Sequence, residues 1–275
     1  MLDKTFIKEK LKEFLLEDIG YKDLTTDNIE NHKSIHATII AKEDLILAGI
    51  DFAVEIFRLL DNDTKILFQA KEGTLIKKGE NILTLQADSK AILKGERTAL
   101  NILQRLSGIA TNTKRYVEKI KDTKTKLLDT RKTTPGFRAF EKYAVTVGGG
   151  YNHRFALYDM VMIKDNHIKL IGNIEDAVNQ IKNRVSPMTK IEIEVSNLDQ
   201  LKQALKTDVD IIMLDNMSLE EIKKAVKITK QKKPLEVSGN INLDNIRDIA
   251  LTGVDFISSG SIIHASRWVD ISLRL

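Results

Sequence analysis

Short apolar runs alternate with amphipathic stretches through the second half of the chain, and this alternation limits the possible folds more than any other feature. Each run has the length of a buried strand, and each intervening stretch has the apolar spacing of a helix face. Such alternation predicts parallel strands covered by helices on both faces. The predicted strands cover residues 126–129, 160–163, 191–195, 211–214, 235–237 and 256–258. The predicted helices cover residues 198–205, 219–228 and 243–252.

Residues 1 to about 100 show a different pattern, which predicts an α+β unit. Apolar residues recur every three to four positions before Gly20, as in a helix that ends at a glycine. They are Phe6, Ile7, Leu11, Phe14 and Leu15. Short strand-like runs follow at 36–41, 45–48, 66–69 and 82–85, with predicted helices at 52–60 and 91–110.

The overall composition excludes several kinds of protein. The 275 residues include 43 Lys and Arg, 39 Asp and Glu, and no cysteine. Disulfides, thiolate zinc sites, iron–sulfur clusters and a cysteine nucleophile are therefore excluded. A net charge of +4 without a basic stripe argues against nucleic acid as a partner. No apolar run is long enough to span a membrane, and the first residues lack the apolar core of a signal peptide, so we expect a cytoplasmic protein.

Polar residues follow all six predicted strands. The strand ends are 20 to 33 residues apart, as in successive strand–helix units. In a parallel barrel these positions converge on the carboxyl-terminal face, where active sites lie. A single polar residue after a strand is an ordinary cap, but six in succession indicate a site. The residues are Asp129 to Lys132, Lys164 to Asn166, Glu194, Asp215 with Asn216, Ser238 to Asn240, and Ser259 to Ser261.

The charges at these positions indicate the kind of ligand. The cationic set predicts a polyanion, since guanidinium and ammonium groups bind carboxylate or phosphate. It contains Arg131, Lys132, His153, Arg154 and Lys164. The acidic pair Glu194 and Asp215 is suited to holding sugar hydroxyls, to coordinating Mg²⁺ or to stabilising a developing cation.

Glycines mark further candidate positions. The turns at 238–240 and 258–261 can offer backbone N–H groups to a phosphate, and phosphate sites recur after the last two strands of barrels. The run Gly148 to Gly150 is either a loop or a close approach to a ligand, with His153 and Arg154 aimed at it. The chain has no HExxH motif, Walker P-loop or GxSxG elbow, so a metal held by protein ligands alone is not expected.

Several stretches together resemble one known family over nearly the whole chain. Two are specific: Thr-Arg-Lys-Thr-Thr-Pro-Gly at 130–136 and Asn-His-Arg at 152–154. The others lie at 17–20, 23–26, 96–111, 141–145, 164–167, 214–216, 236–240 and 253–255. The chain resembles the quinolinate phosphoribosyltransferases, the carboxylating nicotinate-nucleotide pyrophosphorylases of the type II phosphoribosyltransferase class.

This resemblance implies an α/β fold with two domains. An α/β sandwich would contain residues 1–105 and the C-terminal tail 265–275, and an incomplete parallel α/β barrel would contain residues 106–264. The implied reaction joins quinolinate to phosphoribosyl pyrophosphate (PRPP), giving nicotinate mononucleotide, pyrophosphate and carbon dioxide for NAD biosynthesis. Mg²⁺ would accompany PRPP, with no organic cofactor. A homodimer would be the smallest working unit, within a larger assembly or alone.

The resemblance also implies a role for each site residue. Arg131, His153, Arg154 and Lys164 would bind the quinolinate carboxylates, and Arg97 would reach the site of the neighbouring subunit. The catalytic set would be Lys132, Lys164, Glu194 and Asp215, with Lys132 bridging toward the phosphates and the two acids holding the ribose and Mg²⁺ of PRPP. The phosphate-binding positions would be Ser238, Gly239, Asn240, Ser259, Gly260 and His264.

Three positions depart from the family pattern. Lys22 and Asn240 stand where the family usually has glycine, and Ser259 stands where an apolar residue is frequent. These departures affect the opening loop and the phosphate turns, and they leave the predicted quinolinate residues unchanged.

Three rival functions stay open. The first is that of a molybdenum-locus relative with another substrate, which is disfavoured because that relative tends to lack a lysine at position 164. The second is a Schiff-base aldolase that uses Lys164. The third is a barrel that binds anions without turnover.

Overall fold

The computed structural model describes residues 3–275, which form two compact units. The first contains residues up to 114 together with 134–149 and 266–275, and the second contains 115–133 and 150–265. The domain boundaries expected from the sequence stay a prediction. Nowhere in residues 3–275 is a helix both long and apolar enough to cross a membrane.

Helices and strands alternate along most of the chain. The helices are α1 (Lys4–Ile19), α2 (Ile50–Leu60), α3 (Ser89–Ile120), α4 (Arg138–Val147), α5 (Asp165–Ile171), α6 (Ile174–Lys182), α7 (Leu198–Ala204), α8 (Leu219–Thr229), α9 (Ile246–Ala250) and α10 (Ser261–His264). The strands are β1 (Ser34–Ala41), β2 (Leu45–Ile46), β3 (Lys65–Gln69), β4 (Leu75–Ile76), β5 (Asn81–Asp88), β6 (Lys126–Leu128), β7 (Val161–Ile163), β8 (Ile191–Val195), β9 (Ile211–Asp215), β10 (Leu235–Ser238), β11 (Phe256–Ser258) and β12 (Ile271–Arg274).

The first unit is built on an antiparallel sheet with the strand order β12-β1-β5-β3. Its last strand comes from the C-terminal tail, and Ile271 of β12 pairs with Ala41 of β1. The short pair β2 and β4 forms a separate antiparallel ladder. The predicted first helix is confirmed as α1, because the side chain of Asp3 accepts hydrogen bonds from two backbone N–H groups at its start and Gly20 ends it with φ of 57°.

Aromatic packing holds α4 within the first unit. Phe140 is fully buried, and its ring centroid lies 5.1 Å from that of Phe52 and 5.5 Å from that of Phe14. The next residue, Glu141, is also fully buried and accepts two hydrogen bonds from the guanidinium of Arg105, at 2.6 and 3.0 Å. Burial on this scale and an ion pair with two hydrogen bonds make α4 part of the core of this unit.

The second unit is an incomplete parallel α/β barrel. Its six strands have the order β6-β11-β10-β9-β8-β7, with parallel pairing at every step from β6 to β7. Within residues 3–275 no strand ladder joins β6 to β7, so the sheet is open there. The helices that follow β8, β9 and β10 each bury an apolar face, as the strand–helix alternation predicts. All six predicted strands of this half are confirmed.

One predicted helix begins later than expected. The sequence pattern places a helix at 243–252, but α9 begins at Ile246. The reason is local: the side-chain oxygen of Asn242 accepts hydrogen bonds from the backbone N–H groups of Asp244 and Asn245. This turn uses the N–H groups and backbone angles that another helical turn would need.

Candidate active site

A pocket of about 960 Å³ opens at the carboxyl ends of the six parallel strands. All of its lining residues belong to the second unit. Thirteen of them are predicted site residues: Arg131, Lys132, His153, Arg154, Lys164, Glu194, Asp215, Ser238, Gly239, Asn240, Ser259, Gly260 and His264. The structure therefore brings residues from all six strand ends to a single cavity.

The strand register explains why these side chains form layers. Because alternate residues of a strand face the same side, Glu192 and Glu194 of β8 both point inward. Ser238 of β10 is paired with Asp215 of β9, which places their side chains at one level. Glu236 lies one inward position below Ser238 and also lines the pocket. The upper layer thus contains Glu194, Asp215 and Ser238, and the layer beneath it contains Glu192 and Glu236.

The cationic side chains differ in how they are held. The guanidinium of Arg154 is largely buried and donates from Nη1 to the backbone oxygen of Met160 at 2.9 Å. Burial lowers the pKa of Arg154, and the charge of Arg131 lowers it further. The ammonium group of Lys164 forms an ion pair with Glu194, with Nζ 2.9 Å from Oε2. Positive groups crowded in this way favour an anionic ligand, which would offset their repulsion.

The two predicted acids each engage a neighbour through one oxygen. Oε2 of Glu194 pairs with Lys164, and Oδ2 of Asp215 accepts a hydrogen bond from Nδ2 of Asn216 at 2.9 Å. The amide of Asn216 in turn accepts from Nδ2 of Asn240, at 3.1 Å. A chain of hydrogen bonds thus joins the turn after β10 to the acid at the end of β9. Carboxylate oxygens are the ligand type that Mg²⁺ prefers.

The turn after β10 depends on left-handed backbone conformations. Gly239 has φ of 101° and Asn240 has φ of 54°. A Cβ at Gly239 would lie 2.3 Å from Oδ1 of Asn216, so only glycine fits against that side chain. Gly260 also lies close to a side chain, because a Cβ there would lie 2.9 Å from Cδ of Lys132, which is flexible enough to move. Both turns thus bring backbone close to the cavity, as phosphate-binding turns do.

Ser259 lies in the pocket wall, but its polar groups are engaged inside the barrel. Its hydroxyl is 2.6 Å from the hydroxyl of Ser261 and 3.3 Å from the backbone oxygen of Ile241. Its backbone N–H donates to the carbonyl of Leu128. The hydroxyl and N–H of Ser259 are thus engaged within the barrel, Gly260 beside it also lines the cavity, and the phosphate role of Ser259 stays a prediction.

His153 reaches below the upper layer and contacts two buried glutamates. Its Nε2 lies 2.9 Å from Oε2 of Glu192 and 3.5 Å from Oε2 of Glu236. Its Nδ1 accepts the backbone N–H of Arg154 at 2.8 Å. Because Nδ1 is an acceptor, the ring proton is on Nε2 and points at the carboxyl pair.

Burial raises the pKa of both glutamates. The pKa of Glu192 rises to about 7, and that of Glu236 to about 8, where the charge of Glu192 adds to the effect of burial. One oxygen of each, Oε1, has no hydrogen-bond partner among residues 3–275. Together with His153, the two carboxyl groups form a cluster whose ligand atoms lie close enough together to hold a metal ion. It is the one cluster of this kind within residues 3–275.

Glu192 and Glu236 are functional candidates that the sequence-based prediction did not include, although a signal existed. Both are charged residues inside runs that were interpreted as buried strands, Ile-Glu-Ile-Glu-Val and Leu-Glu-Val. A strand covered on both faces is normally apolar throughout. A glutamate in its interior is costly to bury unless it has partners, so it marks a polar cluster.

Two other predicted features are not among the residues that line this cavity. Arg97 is exposed on α3, within the first unit, and does not line the pocket. Gly148 packs against protein, since a Cβ there would lie 2.6 Å from the backbone oxygen of Ala110, and Gly149 is exposed. None of the three glycines lines the pocket, whereas His153 and Arg154 do, and an approach of the run to a ligand stays a prediction.

Family models and relatives agree with this architecture. The model "Quinolinate phosphoribosyl transferase, N-terminal domain" matches residues 23–107, and the corresponding C-terminal domain model matches residues 109–274. A probable nicotinate-nucleotide pyrophosphorylase [carboxylating] of Bacillus subtilis is 43% identical over 97% of this chain and 92% of its own. The protein of the same name from Synechocystis is 44% identical over 96% and 91%.

Solved structures give the same match. NadC from Streptococcus pyogenes is 40% identical and superposes with a TM-score of 0.96 over 100% of this chain and 98% of its own. The nicotinate-nucleotide pyrophosphorylase of Francisella tularensis is 43% identical, with a TM-score of 0.94 over 100% and 97%. A pyrophosphorylase from Pyrococcus furiosus is only 19% identical, and its TM-score of 0.72 reflects the shared fold.

Proposed function

The chain belongs to the quinolinate phosphoribosyltransferase family, and we propose that the pocket at the strand ends is where it joins quinolinate to PRPP. The reaction transfers the phosphoribosyl group to the ring nitrogen of quinolinate. It releases pyrophosphate and carbon dioxide and forms nicotinate mononucleotide for NAD biosynthesis. The observation that carries the assignment of the site is the meeting, in one cavity, of a cationic cluster and two acids.

The cationic side chains would bind the two carboxylates of quinolinate. Arg131, Arg154 and Lys164 line the same cavity, and the buried guanidinium of Arg154 is already held by Met160. A dicarboxylate in contact with several cations loses much of its water but keeps its charge compensated. A ligand with one carboxylate would leave part of this positive charge unpaired, so the cluster favours quinolinate over nicotinate.

The acids would act on the ribose end of PRPP. Departure of pyrophosphate leaves positive charge on the ribose at C1, and carboxylates near that carbon stabilise it. Glu194 and Asp215 line the cavity together, and each has an oxygen that is not used in the hydrogen bonds described above. These oxygens also fit Mg²⁺, which would enter with PRPP and neutralise its pyrophosphate. Lys132 would bridge toward the same phosphates.

The two glycine turns would hold the 5′-phosphate. Ser238 and Gly239 lie in one, Gly260 in the other, and His264 lies beside Gly260, with its Nε2 3.3 Å from where a Cβ of that residue would stand. Backbone approach of this kind suits a phosphate, because N–H groups can reach its oxygens without an intervening side chain. Asn240 would take part through its contact with Asn216.

The chemical steps need no covalent enzyme intermediate. The lone pair of the quinolinate nitrogen forms the bond to C1 of the ribose as pyrophosphate leaves with its bonding electrons. The nitrogen then carries a positive charge, which stabilises the electron pair left at C2 when that carboxylate departs as carbon dioxide. A proton then takes its place at C2. The main contributions of the protein would be orientation and charge compensation.

We also propose that the working unit is a homodimer in which Arg97 enters the pocket of the neighbouring subunit. Arg97 is exposed on α3 and is not among the residues that line the pocket of its own chain, which is consistent with such a role. The cytoplasmic location stays a prediction. An aldolase that used Lys164 as a Schiff base is disfavoured, because a nucleophilic lysine must be neutral and this one is ion-paired with Glu194.

The direct test is product identification. Purified protein is incubated with PRPP, Mg²⁺ and quinolinate, and a parallel reaction contains nicotinate instead. We expect nicotinate mononucleotide and carbon dioxide from quinolinate only. Lys164→Met should abolish most turnover, whereas the matched control Lys190→Met, which loses an exposed ion pair with Asp210, should not. Absence of product from folded wild-type protein that binds PRPP would refute the assignment.

A further inference from the structure

Glu192 and Glu236, which lie beneath the upper layer of the pocket and contact His153, have no part in the reaction as described above. Glu192 and Glu236 are 0% and 1% exposed, and the side chain of His153 is 8% exposed. Burying two carboxyl groups side by side is costly unless the arrangement has another benefit. The contacts of His153 indicate what that benefit is.

His153 connects the carboxyl pair to the residue that follows it. Its Nε2 donates to Glu192 at 2.9 Å, and its Nδ1 accepts the backbone N–H of Arg154 at 2.8 Å. Its own backbone N–H donates to Oδ1 of the buried Asp129, also at 2.8 Å. Both ring nitrogens are therefore occupied inside the protein. A direct hydrogen bond from His153 to a substrate carboxylate would require one of these bonds to break.

Glu192 also affects the charge of Arg154. The negative charge of Glu192 favours the charged form of this guanidinium, whereas burial and the charge of Arg131 oppose it. Glu192 thus supports Arg154 chiefly through the ring that holds its backbone, and the field at its side chain is a smaller contribution. Arg154 is more buried than Arg131, Lys132 and Lys164, so among these groups it depends most on such support.

We propose that Glu192, Glu236 and His153 are positioning residues, which hold Arg154 in place to receive a quinolinate carboxylate. This inference rests on the proposed function of the pocket. It assigns His153 an indirect role in quinolinate binding, through Nδ1, in place of the direct contact that the family resemblance implies. Glu236 lies 3.5 Å from Nε2 and completes the cradle around the ring from β10.

The first test separates the two ring nitrogens. In His153→Asn the side-chain oxygen can stand near the place of Nδ1 and accept the N–H of Arg154, but nothing reaches Glu192. His153→Ala loses both bonds. We expect KM for quinolinate to rise about tenfold in His153→Ala and to return to within about threefold of wild type in His153→Asn. KM for PRPP should change less than about twofold in both, since His153 adjoins Arg154, which the proposed function assigns to quinolinate.

The second test separates hydrogen bonding at Glu192 from the presence of a side chain. Glu192→Gln keeps an acceptor for Nε2, whereas Glu192→Met has similar length and none. We expect Glu192→Met to raise KM for quinolinate about tenfold and Glu192→Gln to change it less than about threefold. Val178→Ala is the matched control, because it removes buried volume from α6 without touching the pocket and should lower stability alone. If Glu192→Met fails to fold, the comparison of His153→Asn with His153→Ala still tests the positioning role.

Three results would overturn the inference. Equal impairment of His153→Asn and His153→Ala would mean that Nε2 itself contacts the substrate. A parallel rise in KM for both substrates would mean general disruption of the barrel. A transition metal bound stoichiometrically to wild type and lost in Glu236→Gln, measured by elemental analysis, would show a metal site instead. Inactive wild-type protein would refute the proposed function, whereas active wild type with any of these results would refute only the positioning role.

Discussion

Replacing Asn240 by glycine tests whether the turn after β10 is coupled to Asp215. Asn240 has φ of 54°, a conformation that glycine adopts freely, so Asn240→Gly should leave the turn in place. It removes the hydrogen bond from Nδ2 to Asn216, whose amide donates to Asp215. A neutral hydrogen bond contributes about 0.5–1.5 kcal/mol net, and this one is exposed, so the lower half of that range applies. KM for PRPP should therefore rise about two- to fivefold.

Stability should change little in the same variant, because two effects oppose each other. A residue with a side chain pays about 1 kcal/mol to adopt a left-handed backbone conformation, and glycine removes this cost. Glycine also makes the unfolded chain more flexible, which favours unfolding by a similar free energy. The assay is initial-rate kinetics with PRPP varied at saturating quinolinate, together with urea unfolding. Lys230→Gly is the control, since Lys230 is an exposed left-handed residue at the end of α8 and outside the pocket. A wild-type KM for PRPP in Asn240→Gly would refute the coupling.

Three further outcomes are expected. Arg105→Met should destabilise the protein by about 3–5 kcal/mol in urea unfolding, because it leaves the buried carboxylate of Glu141 without its guanidinium partner; a loss below about 1 kcal/mol would contradict this. The pKa of Glu236 is raised from 4.5 to about 8 in the folded protein. Between these two pH values Glu236 is protonated in the folded state and ionised in the unfolded state, so the free energy of unfolding falls as the pH rises through this range. The free energy of unfolding should therefore fall less between about pH 5 and pH 9 in Glu236→Gln than in wild type. An equal fall in both proteins would argue against the raised pKa. Mixed dimers of Arg97→Ala and Lys164→Ala subunits should recover part of the activity, and confirmed mixed dimers without recovery would count against a shared site.

Much of the barrel could be predicted from the sequence because its information is local. Each strand is a short apolar run, each helix has an apolar face, and both periods are visible within a dozen residues. The convergence of Arg131, Lys164, Glu194 and Asp215 on one face then follows from parallel pairing alone. The helix at 243–252 was wrong at its start, since a side-chain turn at Asn242 competes with the first helical turn.

Other features depend on contacts between distant parts of the chain. The C-terminal strand β12 joins β1, and α4 joins the core of the first unit through Phe140, because their apolar side chains find partners far away in sequence. The contact of the two buried glutamates with His153 also depends on distant parts of the chain. Glu192 and Glu236 are 44 positions apart in sequence, and only the strand order β10-β9-β8 brings both within reach of His153.

The sequence by itself determined the strand–helix alternation, the polar strand ends and the membership of the family. The tertiary structure alone decided which polar groups share a layer, which ring nitrogen of His153 carries the proton, and which side chains are held by others. The physical reason is that periodicity is encoded in neighbouring residues, whereas burial, pKa and hydrogen-bond partners depend on the register of strands that are distant in sequence.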